Sequence, residues 1–112
     1  MELSPEDAKL VTLARAARAR RGVEHGAAVR DADGRTYAAS TVSLSSMRVD
    51  ALDLAVAMAV SSGATGIEAA AVVTELEPDP LIRGTAVRDV AGAGIPVYIA
   101  DPSGAVAWTR ET

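Results

Sequence analysis

The sequence contains no cysteine and no phenylalanine, and its aromatic side chains are one tryptophan and two tyrosines. Without thiols there is no disulfide, no thiolate nucleophile and no thiolate metal ligand. Without large rings the core must be built from Ala, Val, Leu and Ile, whose small side chains let helices and strands approach closely. A core that thin gains from association with further copies of the chain. Lysine is scarce too: Lys9 is the single one among 11 basic residues, and 15 acidic residues leave a formal charge of −4. That sign works against nonspecific attraction to nucleic acid or to an anionic membrane. No apolar run is long enough to span a bilayer, and the start Met1 to Asp7 is too acidic for a signal peptide, so a cytoplasmic location is expected. At 112 residues, of which 49% are apolar, residues 1–112 are expected to form one domain around one core.

Along the chain, Ser4-Pro5-Glu6-Asp7 has the pattern of a helix start, with Ser as cap, Pro at the first helical position and acids in the first turn. Leu10, Leu13, Ala14 and Ala17 follow at i, i+3, i+4, i+7, the apolar stripe of an amphipathic helix that Gly22 closes. Arg15, Arg18, Arg20 and Arg21 lie off that stripe or at its end. They suit a solvated face and the helix C-terminal dipole, with an anion or RNA contact as the rival reading. His25 to Arg30 and Arg35 to Ser43 are expected strands flanking Asp31-Ala32-Asp33-Gly34, where Asp-Gly signals a hairpin turn. In the second strand Thr41, Ser43 and Ser45 share one face and Val42 and Leu44 the other, so one face is polar or lines a cavity. Ser45 or Ser46 is the expected cap of the next helix. From Ala51 to Val60 every residue of that helix but Asp53 is apolar, and Gly63 supplies a stop. Apolarity nearly all round predicts burial on several sides, between a sheet and another helix or subunit at the centre of the molecule.

Gly66 to Thr74 is a continuous apolar run bounded by turn signals, suited to a central strand buried on both faces. Glu75 to Pro80 is a loop, Leu81 to Ala91 a helix, Ile95 to Ala100 a strand with Pro96 near its start, and Asp101-Pro102-Ser103-Gly104 a turn. Ala105 to Thr109 is the last strand and carries Trp108, either an interface anchor or a ring buried against the first helix. The order is α-β-β-α-β-α-β-β, whose alternation implies βαβ crossovers and an α/β arrangement in two or three layers.

Few residues offer chemistry. His25 is the only histidine, and its place at the start of a strand predicts a surface or strand-edge side chain. Asp50 and Asp53, at i, i+3 in a helix start, suit the helix dipole; a hard-cation site there would need several more oxygens. Asp79, ahead of the third helix, admits the same reading. Ser43, Ser45 and Ser46 have no base in a motif with them. Gly92-Ala93-Gly94 follows a helix, the wrong context for a phosphate cradle.

The element order, Asp33-Gly34-Arg35-Thr36-Tyr37 ahead of a polar strand, and the helix from Ala51 to Gly63 together resemble the cytidine deaminase family. The resemblance implies a three-layer α-β-α fold around a mixed five-stranded sheet. In that family a Cys-Ala-Glu triplet opens the central helix and a Pro-Cys-x-x-Cys segment opens the next. The closest fit sets Asp50-Ala51-Leu52 on the triplet and Asp79 to Gly84 on the second segment. The zinc-ligand positions then carry Asp50, Leu81 and Gly84, and the proton-shuttle position carries Leu52. The ribose-gripping Asn-x-Glu falls on Ala39-Ser40-Thr41. The resemblance thus implies a domain with no zinc or other cofactor and no deamination by the family's route, acting as an oligomeric scaffold or interaction module, a dimer or tetramer. A second reading is a small-molecule sensor of nucleoside-like ligands whose pocket uses Thr41, Ser43, Asp50 and Arg83, with Asp53 and Asp79 at its edge. A metal-free hydrolase with a rebuilt site, or a residual cytidine or nucleoside deaminase, is the third.

Overall fold

The computed structural model describes residues 2–75, 82 and 84–112. Its elements are α1 (Pro5–Arg21), β1 (His25–Asp31), β2 (Thr36–Ser40), β3 (Val42–Ser43), β4 (Arg48–Val49), α2 (Ala51–Ser61), β5 (Ile67–Thr74), α3 (Thr85–Ala91), β6 (Pro96–Ala100) and β7 (Val106–Glu111). Five strands form one sheet in the order β2-β1-β5-β6-β7, in which only the β5–β6 pair is parallel. The apolar run of β5 is therefore central, as its composition requires.

Side chains alternate across a strand, and here the alternation sorts the core into two halves. Ala27, Val29, Ala70, Val72, Val97 and Ile99 pack with α2 and Val87 of α3. Ala28, Ala69, Ala71, Val73, Tyr98 and Ala100 pack with Leu10, Val11 and Ala14 of α1. The result is three layers, helix α1 on one face and helices α2 and α3 on the other. No helix among the described residues is long and apolar enough to cross a membrane.

Helix α1 begins as its sequence dictates, with the Ser4 hydroxyl accepting the Asp7 N–H at 3.2 Å, and Gly22 ends it in the left-handed region at φ 62°. Its approach to the sheet depends on Gly26. A Cβ there would overlap the Ala14 carbonyl oxygen and lie 2.6 Å from the Arg18 nitrogen. A polar clamp fixes the other end of α1. Asp7 accepts from the Tyr98 hydroxyl at 2.5 Å and from Arg30 at 2.9 Å, and Arg30 also reaches Glu68 at 3.0 Å. Burial and the bond to Asp7 push the Tyr98 phenol up to about 12. At the β1–β2 turn, Asp31 is nearly fully buried. That burial opposes its charge, yet the N–H groups of Arg35 and Asp33 and the Tyr37 hydroxyl hold its carboxyl below the ordinary range.

The chain departs from expectation in several places. The expected strand from Arg35 to Ser43 breaks at Thr41. The Thr41 N–H bonds the carbonyl of His25, the first residue of β1, at 3.1 Å, so no further rung is available. The chain folds back instead, pairing Val42 with Val49 and Ser43 with Arg48, which adds a two-stranded hairpin to the expected order. Ser45 and Ser46 sit in its turn, closed by Leu44 N–H to the Met47 carbonyl at 2.7 Å, so neither caps α2. Asp50 is the capping residue, without a side-chain capping bond. Helix α2 buries Ala51, Leu52, Ala55, Val56 and Ala59 on the sheet, but Ala57, Met58 and Val60 are exposed. It is an outer layer, not the centre, because one stripe is enough to cover the sheet. Helix α3 starts at Thr85 rather than Leu81, with Ile82 and Gly84 outside it. Trp108 does not pack against α1: it pairs across from Ile99, which faces α2 and α3, and is 37% exposed.

Candidate functional site

Topology gathers four chain ends at one edge of the sheet. Strand β2 runs antiparallel to β1, so the chain enters α2 beside the first residue of β1. Strand β5 is also antiparallel to β1, with His25 opposite Thr74, so the chain leaves for α3 from the other side of the same residue. Between them lies a cavity of about 120 Å³ lined by His25, Asp50, Leu52, Asp53, Val72, Ile82, Gly84 and Thr85. His25 is thus not at the surface: it is 6% exposed and stands beside the starts of both helices. Nothing in the spacing of the sequence brings it there. Only the pairing of β1 with two strands at once does.

The electrostatics of the cavity are those of two carboxylates on one helix start. Partial desolvation, and then the charge of Asp50, raise the Asp53 carboxyl above its ordinary value. Asp50 lies 3.5 Å from the Arg48 guanidinium, which also holds Glu24 at 3.0 Å. The apolar wall is Leu52, Val72 and Ile82, all members of the core cluster on this face. Among the described residues, no three His, Cys, Asp or Glu side chains gather in a way that could hold a metal ion.

The pocket residues expected from the sequence fall into two places. Asp50 and Asp53 line this cavity. Thr41 and Ser43 line a separate cleft of about 310 Å³, between the α1–β1 loop and the β3–β4 hairpin, with Arg21 to Glu24 and Arg48. Asp79 and Arg83 lie outside the described residues. His25 and Thr85 are cavity residues that the sequence did not single out for this role.

Comparisons with known proteins bear on this edge of the sheet. A family model described as cytidine deaminase-like matches residues 3–104. A cytidine deaminase from Burkholderia pseudomallei is similar in structure with a TM-score of 0.75 at 21% identity, covering 98% of this chain and 92% of that one. One from Mycobacterium leprae gives 0.67 at 18%, covering 92% and 90%, and one from Mycobacterium tuberculosis 0.65 at 24%, covering 80% of each chain. Identities of this size speak for the fold. A comparison with curated proteins finds no match.

Zinc deaminases hold the metal with one His or Cys and two Cys, and a nearby Glu shuttles protons. The sequence has no cysteine to supply such a set. Leu52, set on the shuttle position, is 8% exposed and packed in the core. Gly84, set on a ligand position, has φ 69°, and a Cβ there would lie 3.1 Å from Val97 Cγ2 and 3.2 Å from Thr112 Cγ2. The backbone at that point has neither a donor nor ready space for one. The fold is common to this chain and the solved deaminases, and by its match over residues 3–104 the chain belongs to the cytidine deaminase-like family.

Proposed function

We propose that this chain is a zinc-free member of its family that does not deaminate cytidine and that acts by association, first of all with copies of itself. The observation that carries the reading is Leu52, a buried apolar side chain in the wall of the cavity where a proton-shuttling carboxylate would have to stand. A carboxylate held against Val72 and Ile82 would need a charged or metal partner to offset its desolvation. Leucine needs none. Gly84 acts in the same direction, because no side-chain donor exists there and a Cβ would crowd Val97 and Thr112. A catalytic zinc needs about three protein ligands, and Asp50 alone does not make such a set.

Association is supported by α2. Ala57, Met58 (38% exposed) and Val60 (49% exposed) form an apolar strip on its outer side, and Leu44 and Met47 at the hairpin tip are exposed at 61% and 48%. Among the described residues, all five are exposed. Metal analysis, a cytidine deamination assay and sedimentation on the purified full chain test the reading together. The expected result is substoichiometric zinc, no turnover above the uncatalysed rate, and a sedimentation coefficient above that of a monomer. Stoichiometric zinc with turnover overturns the first part, and a monomer at micromolar concentration overturns the second.

A further inference from the structure

We propose that the cleft between the α1–β1 loop and the β3–β4 hairpin binds a small hydroxylated anion, a hydroxy acid or a sugar monophosphate, with its charge on Arg21 and its hydroxyls on Thr41 and Ser43. This goes beyond the preceding reading and does not depend on it. The cleft, at about 310 Å³, reaches the lower end of the range of small-molecule sites, whereas the cavity beside His25 falls well short of it.

The starting observation is Thr41. It is 3% exposed, and its Oγ1 has no hydrogen-bond partner among the described residues. A buried hydroxyl left unpaired is unfavourable and rare, so a partner from outside the chain is the ordinary resolution. Thr41 is held in place by its own backbone, whose N–H makes the last rung with His25. Ser43, two residues on, lines the same cleft, as extended backbone allows, and is exposed. Two hydroxyls, one of them without a partner, therefore line a single polar cleft.

Charge selects the rest of the ligand. Arg48 is already compensated by Glu24 at 3.0 Å and Asp50 at 3.5 Å. Arg21, exposed at the end of α1, has no ion-pair partner among the described residues. The cleft thus carries one uncompensated positive charge at its mouth, on the side chain best shaped for a planar carboxylate or a phosphate. Glu24, which also lines the cleft, accepts a hydrogen bond from a ligand hydroxyl. A neutral nucleoside offers nothing to Arg21.

Titration of the isotopically labelled full chain, followed by backbone amide signals in NMR, tests this with glycerate, ribose 5-phosphate, inorganic phosphate and cytidine as probes. The expected result is saturable shifts at Gly22, Val23 and Thr41 to Ser43 with glycerate or ribose 5-phosphate, and whichever binds more tightly identifies the anion. Arg21→Gln, a surface change that leaves the core untouched, should weaken that binding roughly tenfold, and Thr41→Val should weaken it while leaving any inorganic phosphate response unchanged. Absence of saturable shifts with both hydroxylated anions overturns the proposal. So does binding that neither variant weakens, or cytidine binding as tightly as the anions. Equal affinity for inorganic phosphate removes the role given to Thr41 and Ser43.

Discussion

Gly84 is the residue whose replacement most directly probes the cavity, and Gly22 is its natural control. Both have left-handed backbone, at φ 69° and ψ 24° and at φ 62° and ψ 32°. An added Cβ at Gly22 meets nothing within 4 Å, whereas at Gly84 it meets Val97 at 3.1 Å and Thr112 at 3.2 Å. Gly22→Ala therefore isolates the backbone penalty, roughly 1–2 kcal/mol for an L-residue in this region. Gly84→Ala adds the contact. Val97 is 1% exposed, and the Thr112 hydroxyl is held by the Ile95 N–H at 3.0 Å and donates to the Gly92 carbonyl at 2.7 Å, so neither neighbour yields easily. Crowding of this kind costs roughly 1–3 kcal/mol more. With about 4 °C lost per kcal/mol in a domain of this size, Gly22→Ala should lower Tm by roughly 4–8 °C and Gly84→Ala by roughly 8–20 °C. Thermal unfolding followed by circular dichroism measures both. Equal shifts would show that position 84 accepts a side chain after all, and the steric half of the case against a metal ligand there would fall.

Other consequences are as direct. Gly26→Ala sets a methyl against the backbone of α1 at Ala14 and Arg18, so the helix must lift from the sheet; a loss of about 3 kcal/mol or more is expected, read from a chemical denaturation midpoint. The Tyr98 phenol, raised to about 12 in the folded chain from an ordinary 10, contributes stability that is complete below pH 10 and is lost as pH rises toward 12. Tyr98→Phe should flatten that alkaline decline in denaturation midpoints, and an unchanged decline would show that another group causes it. Val60→Glu places a charge on the exposed strip of α2, where a single folded chain tolerates it, so unchanged Tm with a smaller sedimentation coefficient is expected; an unchanged coefficient removes α2 from the contact.

Most of the frame was legible because it follows from short-range patterns. The Asp33-Gly34 turn, the apolar run from Ile67 to Thr74 and the stripe of Leu10, Ala14 and Ala17 each encode one element, and each element is where its pattern put it. The β3–β4 hairpin was not legible, since two-residue strands leave no periodicity and their cause is a missing rung beyond His25. The position of His25 was equally hidden. Its residue type and local context suit a strand edge, and it becomes a cavity residue only because β1 pairs with β2 on one side and β5 on the other. The spacing of Asp50 and Asp53 pointed to the helix dipole, and it was the resemblance that joined them to Thr41 and Ser43 as pocket residues. The hairpin separates the two pairs into different pockets.

The residues around the cavity share a physical tendency. A functional metal site is costly to a fold in the absence of its metal: carboxylates in an apolar wall must be desolvated and ligand side chains need room at crowded helix starts. On the function proposed above, Leu52 stands at the shuttle position, where its burial stabilises by roughly 1.5–3 kcal/mol, and Gly84 stands at a ligand position, where it relieves crowding against Val97 and Thr112. Both residues make the frame sounder at the expense of donors. Asp50 differs, keeping its charge at the start of α2 beside Arg48 and raising Asp53. Thr41 differs from both Leu52 and Gly84, since valine has the same shape without an unpaired hydroxyl. That buried hydroxyl, on a residue lining the same cleft as Arg21, separates this part of the surface from the cavity next to it and makes it the better place to look for a ligand.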